Sequence, residues 1–184
     1  MYNMLRMPDK LTWKVYCVGA VLLLTVALFS LARFYPTFPG DERALIELQG
    51  LQAGWLDTSA LVLSRIGDVP VAAGLVLAVI IMLVVLRHRA DALIVALSLI
   101  PMVVNDGLKR VVERPRPDYL LIGPEPSGFG FPSGHTVYAL LFGGLLIYFL
   151  GQLVPLPVLR RWIQAGLVVL ILAMGASRVY LGVH

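Results

Sequence analysis

The sequence contains few charged residues and a single cysteine. Only 14% of its 184 residues are charged, whereas 59% are hydrophobic and the mean hydropathy is +0.84. A soluble domain of this size could not cover so much apolar surface with so few charges, which excludes that class. The single cysteine, Cys17, excludes an internal disulfide and a thiolate metal cluster. Internal repeats and low-complexity tracts are lacking as well.

Long apolar runs make up much of the chain. A helix needs about 17 to 20 mainly apolar residues to cross a bilayer core of about 30 Å. Five such runs occur, at residues 15–34, 69–86, 92–108, 136–153 and 162–176. They predict an all-α fold, namely a polytopic membrane helix bundle with five spans.

The connection between the first two spans has a helical pattern of its own. Within residues 41–65, Leu45, Leu48, Leu51 and Trp55 recur at helical spacing among charged and polar residues. This pattern predicts an amphipathic helix lying in the membrane interface. A solvated connector that packs over the mouth of the bundle is an equally good interpretation.

Basic residues in the short loops predict the orientation of the bundle, because cytoplasmic loops are enriched in lysine and arginine. They precede the first span and follow the second and the fourth, at Arg6, Lys10, Lys14, Arg87, Arg89, Arg160 and Arg161. All of these clusters predict that the N-terminus lies on the cytoplasmic side. An alternative for the first span is a cleaved signal, indicated by the small-residue pattern Ser30-Leu31-Ala32, although the apolar run is long for one.

A first cluster of candidate functional residues follows the third span. Prolines on both sides of Arg116 force this segment out of helical geometry, so we expect Lys109 near a helix end and Arg116 in a rigid extended segment. An ammonium is a compact point charge, and a guanidinium is a planar fork for two phosphate oxygens. The alternative is a juxtamembrane basic patch or a local ion pair, which Arg110, Glu113 and Arg114 would fit.

A second cluster, Pro132-Ser133-Gly134-His135, directly precedes the fourth apolar run. Ser133 is a plausible N-cap, and Gly134 allows a ligand to approach the backbone closely. Free amide groups at a helix N-terminus bind anions, and His135 would lie beside such an anion. A simple capping sequence with an interfacial histidine is the alternative.

A third cluster ends the chain, with Arg178 at the close of the fifth apolar run and His184 as the last residue. The predicted orientation brings all three clusters to the extracytoplasmic membrane surface. Together they provide charge neutralisation, proton transfer, a possible nucleophile and free backbone donors, which are the requirements of phosphoryl transfer. The three clusters therefore predict a phosphate site on a membrane scaffold.

The residues carry a family resemblance: lysine, six residues and Arg-Pro; then Pro-Ser-Gly-His; then Ser-Arg, five residues and histidine. This order resembles the three-part signature of the type 2 phosphatidic acid phosphatase family, whose superfamily includes vanadium haloperoxidases. The resemblance covers residues 67–184. A chance match to all three parts is far less probable than a match to one short motif.

The resemblance implies metal-independent phosphoryl transfer through a phosphohistidine. His184 matches the nucleophile, and His135 matches the general acid that protonates the leaving alkoxide. The residues that match phosphate ligands are Lys109, Arg116, Ser133, Gly134 and Arg178. Charge stabilisation by fixed cations agrees with these roles. Glu113, Asp118 and Glu125 lack ligand-like spacing with the histidines, so we predict no metal and no cofactor.

The implied partners are the bilayer and a lipid phosphate substrate, with no nucleic acid. Undecaprenyl pyrophosphate, phosphatidylglycerol phosphate and phosphatidic acid are the main candidates, and the resemblance does not rank them. The implied location is the bacterial cytoplasmic membrane, crossed several times, with the active site on the extracytoplasmic face. The oligomeric state stays open.

The sequence departs from the family pattern in two ways. The family has an aspartate four residues after the nucleophilic histidine, and its membrane members have six spans. We therefore interpret residues 1–184 as a single membrane-embedded phosphatase domain that is incomplete at its C-terminus. The main alternative is a catalytically inactive membrane protein that binds lipid phosphates. A haloperoxidase is disfavoured by the apolar spans, and a transporter by their lack of ionisable residues.

Overall fold

The computed structural model describes residues 10–116 and 120–183, and this part of the chain folds into eight helices. The helices in chain order are α1 (Lys10–Phe34), α2 (Asp41–Gln49), α3 (Gly54–Ile66), α4 (Val69–Val85), α5 (Arg89–Leu97), α6 (Ile100–Val112), α7 (Gly134–Leu153) and α8 (Pro157–Tyr180). The described residues contain no strand, so the prediction of an all-α fold is confirmed.

Four segments are long and apolar enough to cross a membrane, and a bent helix pair brings the number to as many as five. The four segments are Val15–Phe34, Arg89–Val112, Gly134–Leu153 and Pro157–Tyr180. The pair is α3 and α4, whose axes are bent by 57°. The five predicted apolar runs therefore all lie in helices that have the composition of membrane spans.

The third predicted span is broken where a single helix was expected. It consists of α5 and α6, which are separated by a turn at Ser98 and Leu99. Pro101 is in the first turn of α6 and has no amide hydrogen to donate to the carbonyl of Leu97. The same property makes proline favourable at a helix start, which is why α6 begins there.

The connection between the first two spans also differs from the prediction, because it forms two helices. The chain turns between Gly50, which ends α2, and Ala53, whose backbone is extended with φ −151° and ψ 144°. Both helices pack against α8. Leu45 is buried, whereas Trp55 is 72% exposed. The packing agrees with a connector that lies over the bundle.

Two apolar cores hold the helices together. The first joins α4, α5 and α7 around Val76, Leu83 and Phe142. The second joins α3 to the end of α8, where Ala60 packs with residues 180, 181 and 183. Tyr180 also donates a hydrogen bond to a carboxylate oxygen of Asp57 in α3. The end of α8 is thereby fixed against α3.

The segment after α8 is held by several backbone contacts. The side-chain amide of Gln49 donates to the carbonyl of Leu120 at 2.7 Å and to that of Tyr180 at 3.0 Å. The amide of Ile122 donates to the carbonyl of Leu181 at 3.1 Å. Gly182 has a φ of +72°, and a Cβ there would lie 2.5 Å from the Leu120 oxygen, so only glycine fits. Residues 181–183 are thus bound against the loop before α7.

Candidate active site

A cavity of about 770 Å³ lies where α6 ends, α7 begins and α8 ends, beside the turn between α3 and α4. It brings together five of the seven predicted site residues: Lys109, Arg116, Gly134, His135 and Arg178. Ser133 directly precedes Gly134. His184 lies outside the described residues, and its neighbour Val183 lines the cavity. The three sequence clusters therefore meet in space.

Lys109 and Arg116 line the cavity, and the backbone around them has the geometry that the prolines predicted, a helix end followed by a non-helical segment. Lys109 lies in the last turn of α6, and the helix ends when Glu113 takes a left-handed conformation with φ +52°. The amide of Glu113 donates to the Lys109 carbonyl at 2.9 Å, which closes that turn. Arg116 follows in a non-helical segment. The ammonium and the guanidinium thus approach the same space from two directions.

The guanidinium of Arg116 is held by three backbone carbonyls. Its Nε donates to the Gly128 oxygen at 3.0 Å, and its Nη2 donates to the Ser127 oxygen at 3.1 Å. Its Nη1 donates to the carbonyl of Val183, the residue before His184. Burial lowers the pKa of Arg116 from its usual value. Since a guanidinium has five N–H donors, two remain for other partners.

Arg178 is the most deeply buried of the predicted cations, with 7% of the residue exposed. It lies in the last turn of α8, and its Nη1 donates to the hydroxyl of Ser64 in α3. Its Nε has no hydrogen-bond partner within the described part of the chain, although the atom is buried. An unpaired buried donor costs about 1–3 kcal/mol, and more when the group is charged. Arg178 also lines the cavity.

His135 lies in the first turn of α7 and contacts the turn between α3 and α4. Its Nε2 is 3.2 Å from a carboxylate oxygen of Asp68. Its side chain is 19% exposed, compared with 52% for that of Asp68. A Cβ on Gly67 would lie 2.4 Å from the ring carbon Cδ2, so the imidazole rests on the Gly67 backbone.

The start of α7 agrees with the capping prediction. The hydroxyl of Ser133 accepts a hydrogen bond from the amide of Thr136 at 3.4 Å, which makes Ser133 the N-cap. Asn105 faces this helix start: it is 4% exposed, and its side-chain nitrogen lies 3.6 Å from the position of a Cβ on Gly134. Binding of phosphate by Ser133 and Gly134 stays a prediction.

Sequence reasoning missed four residues around this cavity: Ser64, Gly67, Asp68 and Asn105. Asn105 lies one helical turn before Lys109, so helical periodicity places both on one face of α6. That signal could have found it. The contact between Asp68 and His135 spans 67 residues, and the one between Ser64 and Arg178 spans 114. No local pattern indicates either contact.

Two other charged residues of the first cluster, Glu113 and Arg114, have structural partners. Arg114 forms an ion pair with Asp41 at 2.6 Å and lies over the ring of Phe38. Glu113 lies 3.9 Å from Arg33. Arg114 and Glu113 therefore tie the segment after α6 to neighbouring parts of the chain, which agrees with the interpretation as local ion pairs.

Within residues 10–116 and 120–183, no three side chains of histidine, cysteine, aspartate and glutamate lie together in a way that could hold a metal ion. The absence of a required metal stays a prediction. Asp106 lines the cavity, and Asp118 lies outside the described residues.

The fold and the three converging clusters define the class of protein to which the chain belongs. Residues 90–184, just over half of the chain, match the family model of the PAP2 superfamily. The chain belongs to this superfamily, and with its apolar helices it is a bacterial multi-pass membrane protein.

A curated protein and a solved structure are similar to the chain. Phosphatidylglycerophosphatase B of Bacillus subtilis (strain 168) is 40% identical over 83 residues, which are 44% of this chain and 39% of that protein. The aligned region thus spans about two fifths of the curated relative. The crystal structure of the first transmembrane PAP2 type phosphatidylglycerolphosphate phosphatase from Bacillus subtilis matches with a TM-score of 0.74 and 25% identity, covering 88% of this chain and 83% of that one.

Proposed function

We propose that the chain is a membrane lipid phosphatase that needs no metal. The observation that carries this proposal is the buried guanidinium of Arg178, whose Nε has no acceptor among the described residues and which lines a cavity together with Lys109, Arg116 and His135. Buried cations are stable when an anion neutralises them. A tetrahedral phosphate matches both the charge and the geometry of the donors.

The proposed reaction has two steps. A ring nitrogen of His184 attacks phosphorus in line, so that a nitrogen–phosphorus bond forms while the bond from phosphorus to the leaving oxygen breaks. His135 gives its proton to that oxygen. Water then attacks phosphorus, so that an oxygen–phosphorus bond forms while the nitrogen–phosphorus bond to His184 breaks. One proton of the water goes to His135, and inorganic phosphate leaves. The cations stabilise the charge on the equatorial oxygens throughout.

We assign the phosphate-binding roles to Lys109, Arg116, Ser133, Gly134 and Arg178. The convergence of four of these residues on one cavity supports the assignment. Ser133 can still donate its hydroxyl hydrogen, because its bond to Thr136 uses the oxygen as an acceptor. The role of His184 rests on the motif alone.

We propose a lipid phosphate or pyrophosphate as the substrate, because a second cavity provides room for a hydrocarbon chain. This apolar cavity of about 310 Å³ lies between α4, α7 and α8 and includes Ile66, the neighbour of Gly67. Undecaprenyl pyrophosphate, phosphatidylglycerol phosphate and phosphatidic acid all combine such a chain with a terminal phosphate. The name of the Bacillus subtilis relative favours phosphatidylglycerol phosphate.

We further propose that residues 1–184 form a single membrane-embedded domain in the bacterial cytoplasmic membrane. The N-terminus is inside, and the cavity opens on the extracytoplasmic face. The distribution of lysine and arginine supports this orientation, because Arg87 and Arg89 lie at the end of α4 that is opposite to the cavity.

The test is phosphate release in detergent, with EDTA present, from each of the three candidate lipids. We expect the wild-type chain to turn over, His184→Ala to be inactive, and His88→Ala, a matched histidine outside the cavity, to retain activity. Brief incubation with ³²P-labelled substrate should trap an acid-labile phosphoprotein in the wild type but not in His184→Ala. Saturable lipid phosphate binding without release would instead support the inactive lipid-binding protein.

A further inference from the structure

The turn between α3 and α4 contacts His135, the candidate general acid, although this turn lies outside the residues that match the family model. It consists of Gly67 and Asp68, whereas the family match begins at residue 90. Gly67 is buried, and its backbone lies directly beneath the imidazole of His135. A Cβ at this position would lie 2.4 Å from Cδ2 and 2.9 Å from Cγ of the ring. Both atoms belong to the rigid ring body, so a side chain here would displace the imidazole.

Asp68 precedes the first residue of α4, where an aspartate ordinarily caps the helix. Its side chain makes no capping hydrogen bond, however. The carboxylate instead lies 3.2 Å from Nε2 of His135. Asp106 and Glu125 also line the cavity, yet Asp68 is the one acid of the described residues within 4 Å of the His135 ring nitrogens.

We propose that Asp68 and Gly67 are positioning residues that hold His135 as the acid of the phosphatase reaction. The proposal rests on the proposed function. Asp68 accepts a hydrogen bond from Nε2–H, and Gly67 supports the ring face. This arrangement leaves Nδ1–H to donate to the leaving oxygen: the Nδ1–H bond breaks, an O–H bond forms, and the imidazolium becomes a neutral imidazole whose proton stays on Nε2, hydrogen-bonded to Asp68. A carboxylate likewise orients a triad imidazole, there through Nδ1–H, so that the opposite ring nitrogen carries the proton transfer.

The positive charge in the cavity explains why His135 needs a neighbouring carboxylate to act as the acid. The imidazole must be cationic before it donates, and Lys109, Arg116 and Arg178 line the same cavity. Like charges in one cavity disfavour a further cation. The carboxylate of Asp68 offsets this repulsion at the ring itself, where 19% of the His135 side chain is exposed.

The test compares Asp68→Asn with wild type on two leaving groups. A short-chain phosphatidic acid leaves as an alkoxide, which needs the proton, whereas p-nitrophenyl phosphate leaves as a weak base. We expect kcat/KM to fall by about 10- to 100-fold for the lipid and to change little for p-nitrophenyl phosphate, since general acid catalysis contributes about 10²–10⁴-fold. Added to His135→Ala, the Asp68→Asn change should cost nothing further.

Asp91→Asn is the matched control, because Asp91 pairs with His88 at 3.1 Å away from the cavity. It should leave both substrates unaffected. Equal losses of Asp68→Asn on the two substrates would overturn the proposal, because they would indicate a general structural defect. An additive loss in the double variant would overturn it as well.

A second readout separates this proposal from the proposed function. The ¹⁵N shifts of the histidine ring nitrogens can be measured in detergent without substrate and assigned with His135→Ala. Asp68→Asn should move the His135 signals, and Asp91→Asn should not. If the wild type releases no phosphate, the proposed function fails and the shifts still test the contact. Unchanged His135 signals in Asp68→Asn would overturn the role of Asp68.

Discussion

Two histidine–aspartate pairs lie at opposite ends of α4 and have nearly the same nitrogen–oxygen distance, although the ring nitrogen is Nδ1 in His88 and Nε2 in His135. The contact is 3.1 Å between His88 and Asp91 and 3.2 Å between His135 and Asp68. The first pair joins residues three positions apart at the start of α5, and 42% of the His88 side chain is exposed. The second joins residues 67 positions apart, beside a cavity lined by four cationic side chains, Arg65, Lys109, Arg116 and Arg178. Distance alone does not separate a local helix-start pair from a candidate catalytic one, whereas the surroundings do.

The largest difference between the pairs should come from removing each histidine. His135→Ala should reduce kcat/KM for a lipid phosphate by about 10²–10⁴-fold, the usual contribution of a general acid. His88→Ala should leave it unchanged, because His88 contacts a partner in its own helix start. Initial rates of phosphate release from purified variants measure both. Equal effects of the two variants would contradict the assignment of the acid.

The cations at the two ends of α8 extend the comparison. Arg178→Ala should lower kcat/KM by about 10²–10³-fold, as loss of one preorganised donor to a developing charge does. Arg160→Ala is the control, since Arg160 lies at the other end of α8 and donates to the Gly151 carbonyl at 3.2 Å. Inhibition by vanadate should weaken only in Arg178→Ala. Unchanged vanadate inhibition in that variant would exclude Arg178 as an oxyanion ligand.

Substitution of a glycine beside the His135 ring should have a smaller effect on turnover, and a second glycine provides the control. Gly67→Ala should reduce turnover of the lipid by about tenfold, within the loss of about 10² that a 1 Å misplacement of a catalytic group can cause. Gly74→Ala in α4 should not reduce turnover, because no atom lies within 4 Å of a Cβ there. Thermal unfolding in detergent checks that both variants fold. A fully active Gly67→Ala would show that the ring does not rest on this backbone.

Removal of divalent metal should have the smallest effect. EDTA should leave phosphate release unchanged, because the proposed charge stabilisation comes from Lys109, Arg116 and Arg178. Added Mg²⁺ after dialysis should not increase the rate. Loss of activity in EDTA that Mg²⁺ restores would contradict metal-independent chemistry.

The sequence was sufficient for features that depend on local patterns. Apolar length predicted the spans, the prolines around Arg116 predicted the helix end near Lys109, and the Ser-Gly pair predicted the N-cap of α7. The break before Pro101 could also have been predicted from the missing amide hydrogen. Apolar length alone does not reveal such a break.

The sequence was insufficient for contacts between distant segments. Asp68 before a helix start has the ordinary appearance of a capping residue, and Ser64 that of a polar residue in an amphipathic helix. Their contacts with His135 and Arg178 depend on how α3 and α4 pack against α7 and α8, which no local pattern encodes. The position of His184 relative to these groups stays a prediction.

Arg116 restricts how this chain could change over evolutionary time. Its guanidinium fastens the loop at Ser127 and Gly128 to the carbonyl of Val183 and also faces the cavity. Lysine would preserve the charge, but its single ammonium cannot bridge three carbonyls with the fixed spacing of a planar fork. A substitution by lysine would therefore keep the positive charge but lose the hydrogen bonds that join the 127–128 loop to Val183. At this position, the packing of the two segments and the charge of the cavity depend on the same side chain.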